Sequence, residues 1–317
     1  MKNSWKELAL AFILAWGMPW VVIAAAEAAF PKEPTTPNVQ AELIQTEPEA
    51  VPTIRVWRDN VVVELSLTDY LTGVLIGEMP GSFHTEAKKA QAVVARTYAL
   101  RRIGGTDKHP GAVCTDSSCC QGYVDPNTFA DSETVELARQ AVIATEGMVL
   151  AYGGELIDAT YFSCSGGQTE DAVAVWGSDV PYLQSVESPG EEIAAHYTDT
   201  VSFTKAQLED TLGIKLTGSA KRWIGAETYT EGGGVASIVI GGKRYKGTEL
   251  RSLLALRSTS FSVTADEKGL TFTTKGYGHR VGMSQYGAQA MALSGSGFEK
   301  ILTHYYQGAV LTQWEDT

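Results

Sequence analysis

Glu78 lies in the segment Gly77-Glu78-Met79-Pro80, beside Ile76, Met79 and Phe83. A carboxyl in apolar company keeps its proton to higher pH than one in water, which is what a general acid needs near neutrality. Three further segments concentrate polar groups: 90–98, 161–169 and 276–287. At the first, Lys89 and Arg96 stand seven residues apart, two turns along one helix face, so both can reach one anionic group, and Tyr98 shares the helix. In the second, Tyr161, Ser163, Ser165 and Gln168 bring hydroxyl and amide groups to a strand end running into Gly166-Gly167, where backbone can approach a ligand closely. In the third, His279 sits in a glycine-rich loop that presents backbone N–H groups, with Tyr277 before it and Ser284, Gln285 and Tyr286 after it. These glycines do not follow Gly-x-Gly-x-x-Gly and no βαβ unit surrounds them, which argues against a dinucleotide site.

His109, Cys114, Cys119 and Cys120 form a separate cluster in one short loop. Their spacing suits four ligands on a single tetrahedral Zn²⁺ in a structural role. The competing reading, in an oxidising compartment, is a disulfide between Cys114 and either Cys119 or Cys120. Cys164 reads as a buried thiol.

These groups need elements to hold them. Residues 55–67 alternate as a β-hairpin around Asp59-Asn60. A helix follows, capped by Thr68 or Asp69, with Tyr70, Leu71, Val74 and Leu75 as its apolar stripe. Gly77 and Pro80 stop it, leaving Glu78 just past its end. A second, alanine-rich helix covers 85–102 and a third 133–145, with Ser132 as its N-cap. Residues 148–152 and 155–162 flank Gly153-Gly154 as a second hairpin. From 200 the texture changes: 203–212 and 249–256 read as helices, 223–229 and 236–240 as strands. This is a smaller α+β lobe over 200–258, inserted in a core of 53–199 and 259–317. A strand over 261–274 and helices over 288–294 and 298–306 complete the chain. The fold class is α+β, mixed helices with antiparallel hairpins.

The 317 residues are 44% hydrophobic and 20% charged, enough to bury a core, and the net charge of −12 without a basic cluster argues against nucleic acid. Residues 8–26 carry no charge and follow Lys2 and Lys6, long enough to span a bilayer with the N-terminus in the cytoplasm. They read as a signal-anchor within 1–30, with a cleaved signal peptide as the alternative; either way the remainder is exported. Residues 31–52, with five prolines, read as a spacer.

The four segments around Glu78, Arg96, Ser163 and His279, in their order and spacing, resemble the stage II sporulation protein D family, which also holds amidase-enhancer proteins of bacterial cell walls. The likeness spans residues 55–311. It implies a lytic transglycosylase acting on peptidoglycan strands already stripped of stem peptides, during septal thinning and forespore engulfment. Glu78 takes the place of the family's catalytic glutamate, acting alone as acid and then base. Lys89, Arg96, Tyr98, Tyr161, Ser163, Ser165, Gln168, Tyr277, His279, Ser284, Gln285 and Tyr286 would hold the sugar, Lys89 and Arg96 at the lactyl carboxylate of muramic acid. Implied partners are an amidase, stage II sporulation protein P, and a localising membrane protein, stage II sporulation protein M. The implied location is the mother-cell membrane, facing the septal space. Some members look as if they carry a metal in the cysteine segment; none is needed for the reaction. The enhancer branch leaves open a non-catalytic wall-binding role, and the cysteine cluster a zinc hydrolase.

Overall fold

The computed structural model describes residues 52–103 and 109–314. The segments read as membrane anchor and spacer lie outside the described residues, save Pro52. Among the described residues no helix is long and apolar enough to cross a membrane.

Strands β1 (Thr53–Arg58) and β2 (Val61–Ser66) pair antiparallel with Arg58 opposite Val61. Asp59 and Asn60 turn between them at φ 50° and 65°, the left-handed pair that a two-residue hairpin of matching twist requires. The chain passes directly into α1 (Leu67–Glu78). Its cap is Ser66, whose hydroxyl accepts from Asp69 N at 3.0 Å, rather than Thr68 or Asp69. The last strand residue already has the extended backbone of an N-cap, so no intervening residue is needed. Glu78 is the last helical residue and Met79 the C-cap.

Helix α2 (Thr85–Ile103) is buried on nearly every side, with Ala87, Ala90, Ala92, Ala95 and Ala99 at zero exposure. Small side chains let neighbours close in from both faces. One face, with Ala90, Val93 and Val94, belongs to the core that also takes Leu150, Met283 and Tyr306. The other, with Ala92, Ala95 and Ala99, packs with Val56, Tyr70, Val74 and Val142.

Strand β3 (Val113–Cys114) joins β1 in parallel. Helix α3 (Ser132–Ile143) is capped by Asp131, which accepts from the Glu133 and Thr134 amides, one residue before the expected Ser132. Strands β4 (Met148–Tyr152) and β5 (Glu155–Leu156) form the hairpin, but the expected second strand breaks after Leu156. Thr160 N turns back onto Asp158 O at 2.8 Å, and the chain resumes as β6 (Tyr161–Phe162) in another sheet.

Helix α4 (Ala172–Trp176) leads to β7 (Thr198–Thr204), α5 (Lys205–Leu212), β8 (Ile224–Tyr229), β9 (Val235–Ile240), β10 (Lys243–Lys246) and α6 (Gly247–Leu253). Phe203 and Thr204, expected as helix, end β7, and Thr204 forms a capping box with Gln207 that starts α5. The expected strand over 261–274 is a hairpin, β11 (Phe261–Ala265) and β12 (Gly269–Lys275), turned where the Asp266 carboxylate accepts from Lys268 N and Gly269 N. A separate apolar cluster unites these elements, from Leu208 and Ile238 through Tyr245 to Phe261, Leu270 and Phe272. It therefore draws on residues to either side of 258. Strand β13 (Met283–Ser284) pairs in parallel with β6, Met283 opposite Tyr161. Helices α7 (Gln285–Leu293) and α8 (Phe298–Tyr305) follow, and β14 (Val310–Gln313) closes antiparallel on β4.

Candidate active site

The last turn of α1 is read by a strap, residues 121–124, that lies on the helix backbone. Val124 N donates to Gly73 O at 3.1 Å. A Cβ at Gly73 would stand 2.3 Å from the Tyr123 ring and 2.6 Å from Val124 O, and one at Gly77 would stand 3.0 Å from the Gly122 backbone. Two glycines four residues apart thus give the strap its groove. Seated there, Gly122 N donates to Glu78 Oε1 at 2.5 Å.

The neighbouring Gln121 is fully buried and organises a second donor. Tyr70 Oη donates to Gln121 Oε1 at 3.1 Å, and Gln121 Nε2 donates to Tyr161 Oη at 3.2 Å. A phenol oxygen that accepts from Gln121 keeps its own proton to give, and Tyr161 turns it toward Glu78. Gln285, at the start of α7, turns its amide to the same carboxyl, and its buried Nε2 has no other partner among the described residues. Burial raises the Glu78 pKa above the ordinary carboxylate value, while Gly122 N–H, Tyr161 and Gln285 pull it down without cancelling the rise.

These groups open onto a cleft of about 430 Å³, lined also by Tyr98, Arg102, Ser163, Trp176, Tyr277 and His279. Glu78 is the only carboxylate among the described residues lining it. His279 Nδ1 accepts from Val281 N at 3.1 Å, leaving Nε2 as the protonated nitrogen. Burial, and then the charge of Arg251, push its pKa down to about 4. It is a neutral ring wedged between Phe162 and Trp176, with centroids at 5.6 and 5.4 Å. The next residue anchors this loop: Arg280, 1% exposed and at φ 69°, donates to Ser165 O, Gln168 O, Gly232 O and Glu170 Oε1 at 2.6 to 3.0 Å.

Six of the expected sugar-binding residues do not line the cleft. Arg96, 3% exposed, donates to Thr145 O, Met148 O and Val142 O at 2.7, 3.1 and 3.1 Å. It ties the end of α3 to the turn after it and to the start of β4, at a helix C-terminus where a cation suits the dipole. Lys89 pairs with Glu86 at 2.8 Å and lies over Phe298, pinning α2 to α8. Ser165 Oγ donates to Glu191 Oε2 at 2.8 Å, and Gln168 Nε2 to Ser185 Oγ and Glu231 O. Ser284 caps α7 by accepting from Gly287 N, and Tyr286 packs edge-on against Phe83 at 5.0 Å. Sequence reasoning alone does not reach Gln121 and Gly122 behind Glu78, nor wall residues such as Arg102, Ser117 and Trp176. The Gly73/Gly77 spacing inside an apolar helix is the one signal that points to a strap.

The cysteine loop runs into that strap. The ligand atoms of His109, Cys114, Cys119 and Cys120 all lie within 4.8 Å of one another. Cys119 Sγ is 3.5 Å from His109 Nε2 and 3.9 Å from Cys120 Sγ. Zinc bonds of about 2.3 Å to sulfur and 2.0 Å to nitrogen give tetrahedral edges of about 3.5 to 3.8 Å, so the donor set fits the ion. No disulfide joins Cys114 to Cys119 or Cys120 in this structure.

A model of the stage II sporulation protein family (SpoIID) matches residues 58–152. Stage II sporulation protein D of Bacillus subtilis is 37% identical over 283 residues, covering 86% of this chain and 82% of that protein. The chain belongs to the stage II sporulation protein D family. Its counterpart in Bacillus amyloliquefaciens is 36% identical over 85% of this chain and 80% of that protein. An amidase enhancer of Bacillus subtilis is 31% identical over 77% of this chain but only 40% of its own length. The stage II sporulation protein match contains Glu78, the four metal-ligand candidates and the Gln121-Gly122 strap; Tyr161, His279 and Gln285 come from beyond it.

Proposed function

We propose that this member of the stage II sporulation protein D family is a lytic transglycosylase. It cuts the MurNAc-GlcNAc bond of peptidoglycan strands freed of stem peptides and leaves 1,6-anhydro-MurNAc ends. The observation that carries this reading is a single carboxyl in the cleft whose surroundings suit both of its protonation states. Hydrolases of the two-carboxylate kind need a second acid about 5 to 9.5 Å away. An intramolecular ring closure needs only one group that gives a proton and takes one back.

Desolvation favours the protonated form of Glu78, the form that protonates the glycosidic oxygen leaving muramic acid C1. Once the proton is gone, Gly122 N–H, Tyr161 Oη–H and the Gln285 amide stabilise the carboxylate. That carboxylate then removes the proton from the C6 hydroxyl of the same sugar as C6 oxygen attacks C1, which restores the acid. Tyr98, Ser163 and Tyr277 on the walls orient the sugar. His279, neutral and wedged between rings, shapes the wall rather than moving protons.

We assign the His109, Cys114, Cys119, Cys120 set to one structural Zn²⁺, which supplies a tetrahedral crosslink within the loop. The loop ends one residue before Gln121, so holding it holds the donor to Glu78. The reaction itself uses no metal. The protein acts beside an amidase that strips the strands, stage II sporulation protein P, and a membrane protein that localises both, stage II sporulation protein M. Residues 1–30 tether it in the mother-cell membrane, facing the septal space, where it thins septal wall during engulfment.

The test is to incubate the full chain with denuded glycan and analyse the ends by mass spectrometry. Anhydro-muramic ends are expected, and Glu78→Gln should abolish them while leaving fold and glycan binding intact. Ordinary reducing ends would exclude a transglycosylase. No product at all would favour the non-catalytic reading suggested by the similarity to the amidase enhancer.

A further inference from the structure

With Lys89 and Arg96 engaged elsewhere, the cleft keeps one permanent cation among the described residues that line it, Arg102. Tyr98 and Arg102 stand four residues apart on the last turns of α2, hence on one face. The guanidinium carbon lies 4.9 Å from the centre of the Tyr98 ring, a cation–π contact that fixes its direction without neutralising it. No carboxylate among the described residues pairs with Arg102. Arg102 also lines a larger groove of about 900 Å³ that carries Glu155, Asp158 and Trp314, so it stands where the two spaces meet.

We infer that Arg102 is the carboxylate-binding residue of the cleft and the source of selectivity for stripped glycan. The inference rests on the transglycosylase reading for the identity of the polymer. Stripping a strand converts the lactyl amide of each MurNAc into a free carboxylate, the one anion that this polymer gains when its peptide leaves. A guanidinium held by the Tyr98 ring and phenol and paired with no carboxylate among the described residues keeps N–H donors suited to that group. The chain as a whole, at net charge −12, repels an anionic strand. A local cation beside the acid therefore decides whether the stripped strand enters. A strand still bearing peptide offers an amide at this position and gains nothing from Arg102.

The experiment measures binding, not turnover, in full-length protein carrying Glu78→Gln. Three probes are titrated by calorimetry at low salt: denuded glycan, peptide-bearing glycan, and a chitin oligomer, which has no carboxylate. Adding Arg102→Gln should weaken denuded-glycan binding by about tenfold or more, the scale of a charge-assisted hydrogen bond. It should move chitin and peptide-bearing glycan less than twofold, and Arg102→Lys should restore part of the loss. An equal loss for all three probes would reduce Arg102 to a packing role, and no loss for denuded glycan would remove the assignment. Because the Glu78→Gln background is inert by design, these outcomes stand apart from whether the wild-type protein forms anhydro ends.

Discussion

Gly122→Ala is the most discriminating single change at this site. The added Cβ would lie 2.9 Å from Glu78 Oε1, 3.4 Å from its Cδ and 3.6 Å from Ser117 Cβ, so the carboxyl is what must yield. Gly122 is not among the residues at positive φ, so alanine meets no backbone strain. By stiffening the unfolded chain it contributes about 0.4 to 1 kcal/mol of stability, which offsets much of the contact cost. Relief requires moving the carboxyl outward by about 0.5 Å, from 2.9 Å to an ordinary contact beyond 3.4 Å. A misplacement of about 1 Å in a catalytic group costs about a hundredfold, so half of that should cost about tenfold in kcat/KM on denuded glycan. The pH profile gives an independent sign. Glu78 must start protonated, so activity is lost as pH rises through its pKa. Weakening the Gly122 donor removes stabilisation of the charged form, and the alkaline limb should move to higher pH. The assay is kcat/KM against pH for folded protein, with thermal unfolding alongside. An unchanged rate, or an alkaline limb that moves down, would refute the strap as the positioning element.

Arg96→Leu should lower stability by about 2 to 4 kcal/mol in urea unfolding, because the carbonyls of Val142, Thr145 and Met148, which link the end of α3 to the start of β4, lose a buried donor; a raised KM in the folded protein at unchanged stability would restore it to the substrate. His279 has a folded pKa of about 4, below that of a free histidine, so the fold favours the neutral ring. Its contribution is complete above about pH 6.5 and lost as pH falls toward 4, by about 3 kcal/mol at most; His279→Asn should flatten the acid slope of stability. Treatment with a zinc chelator should release one metal ion per chain and lower both the melting temperature and activity, and Cys119→Ser should do the same; an unmoved melting temperature would exclude the structural ion.

Local rules of the sequence reached the helices and hairpins because these carry their own periodicity: the Tyr70/Leu71/Val74/Leu75 stripe and the Asp59-Asn60 turn need no distant partner. Apolar company and the resemblance of its segment single out Glu78 in the sequence, and the structure puts it in a cleft. Helical spacing places Arg96 on a face but does not name what covers it; the carbonyls of Val142, Thr145 and Met148 arrive from 46 to 52 residues away. The strand expected over 155–162 alternates well enough, but Asp158 folds its carbonyl onto Thr160 N and sends Tyr161 to another sheet. Gln121 and Gly122 went unnoticed because a glycine amide has no side-chain chemistry to announce it. Only the missing side chains at Gly73 and Gly77 reveal that something must lie on that helix.

The ladder between β6 and β13 has two rungs, and it carries Tyr161 on one strand with Gln285 immediately after the other. Those rungs join residues more than a hundred positions apart, a contact whose loop-closure entropy must be met before the contact forms. A chain made from its N-terminus exposes Glu78 long before Met283 and Gln285 exist to cover it. Until then its carboxyl lacks a wall, a donor and the apolar cover that raises its pKa. The pocket around Glu78 is therefore assembled late, with the C-terminal strand and helix that complete it.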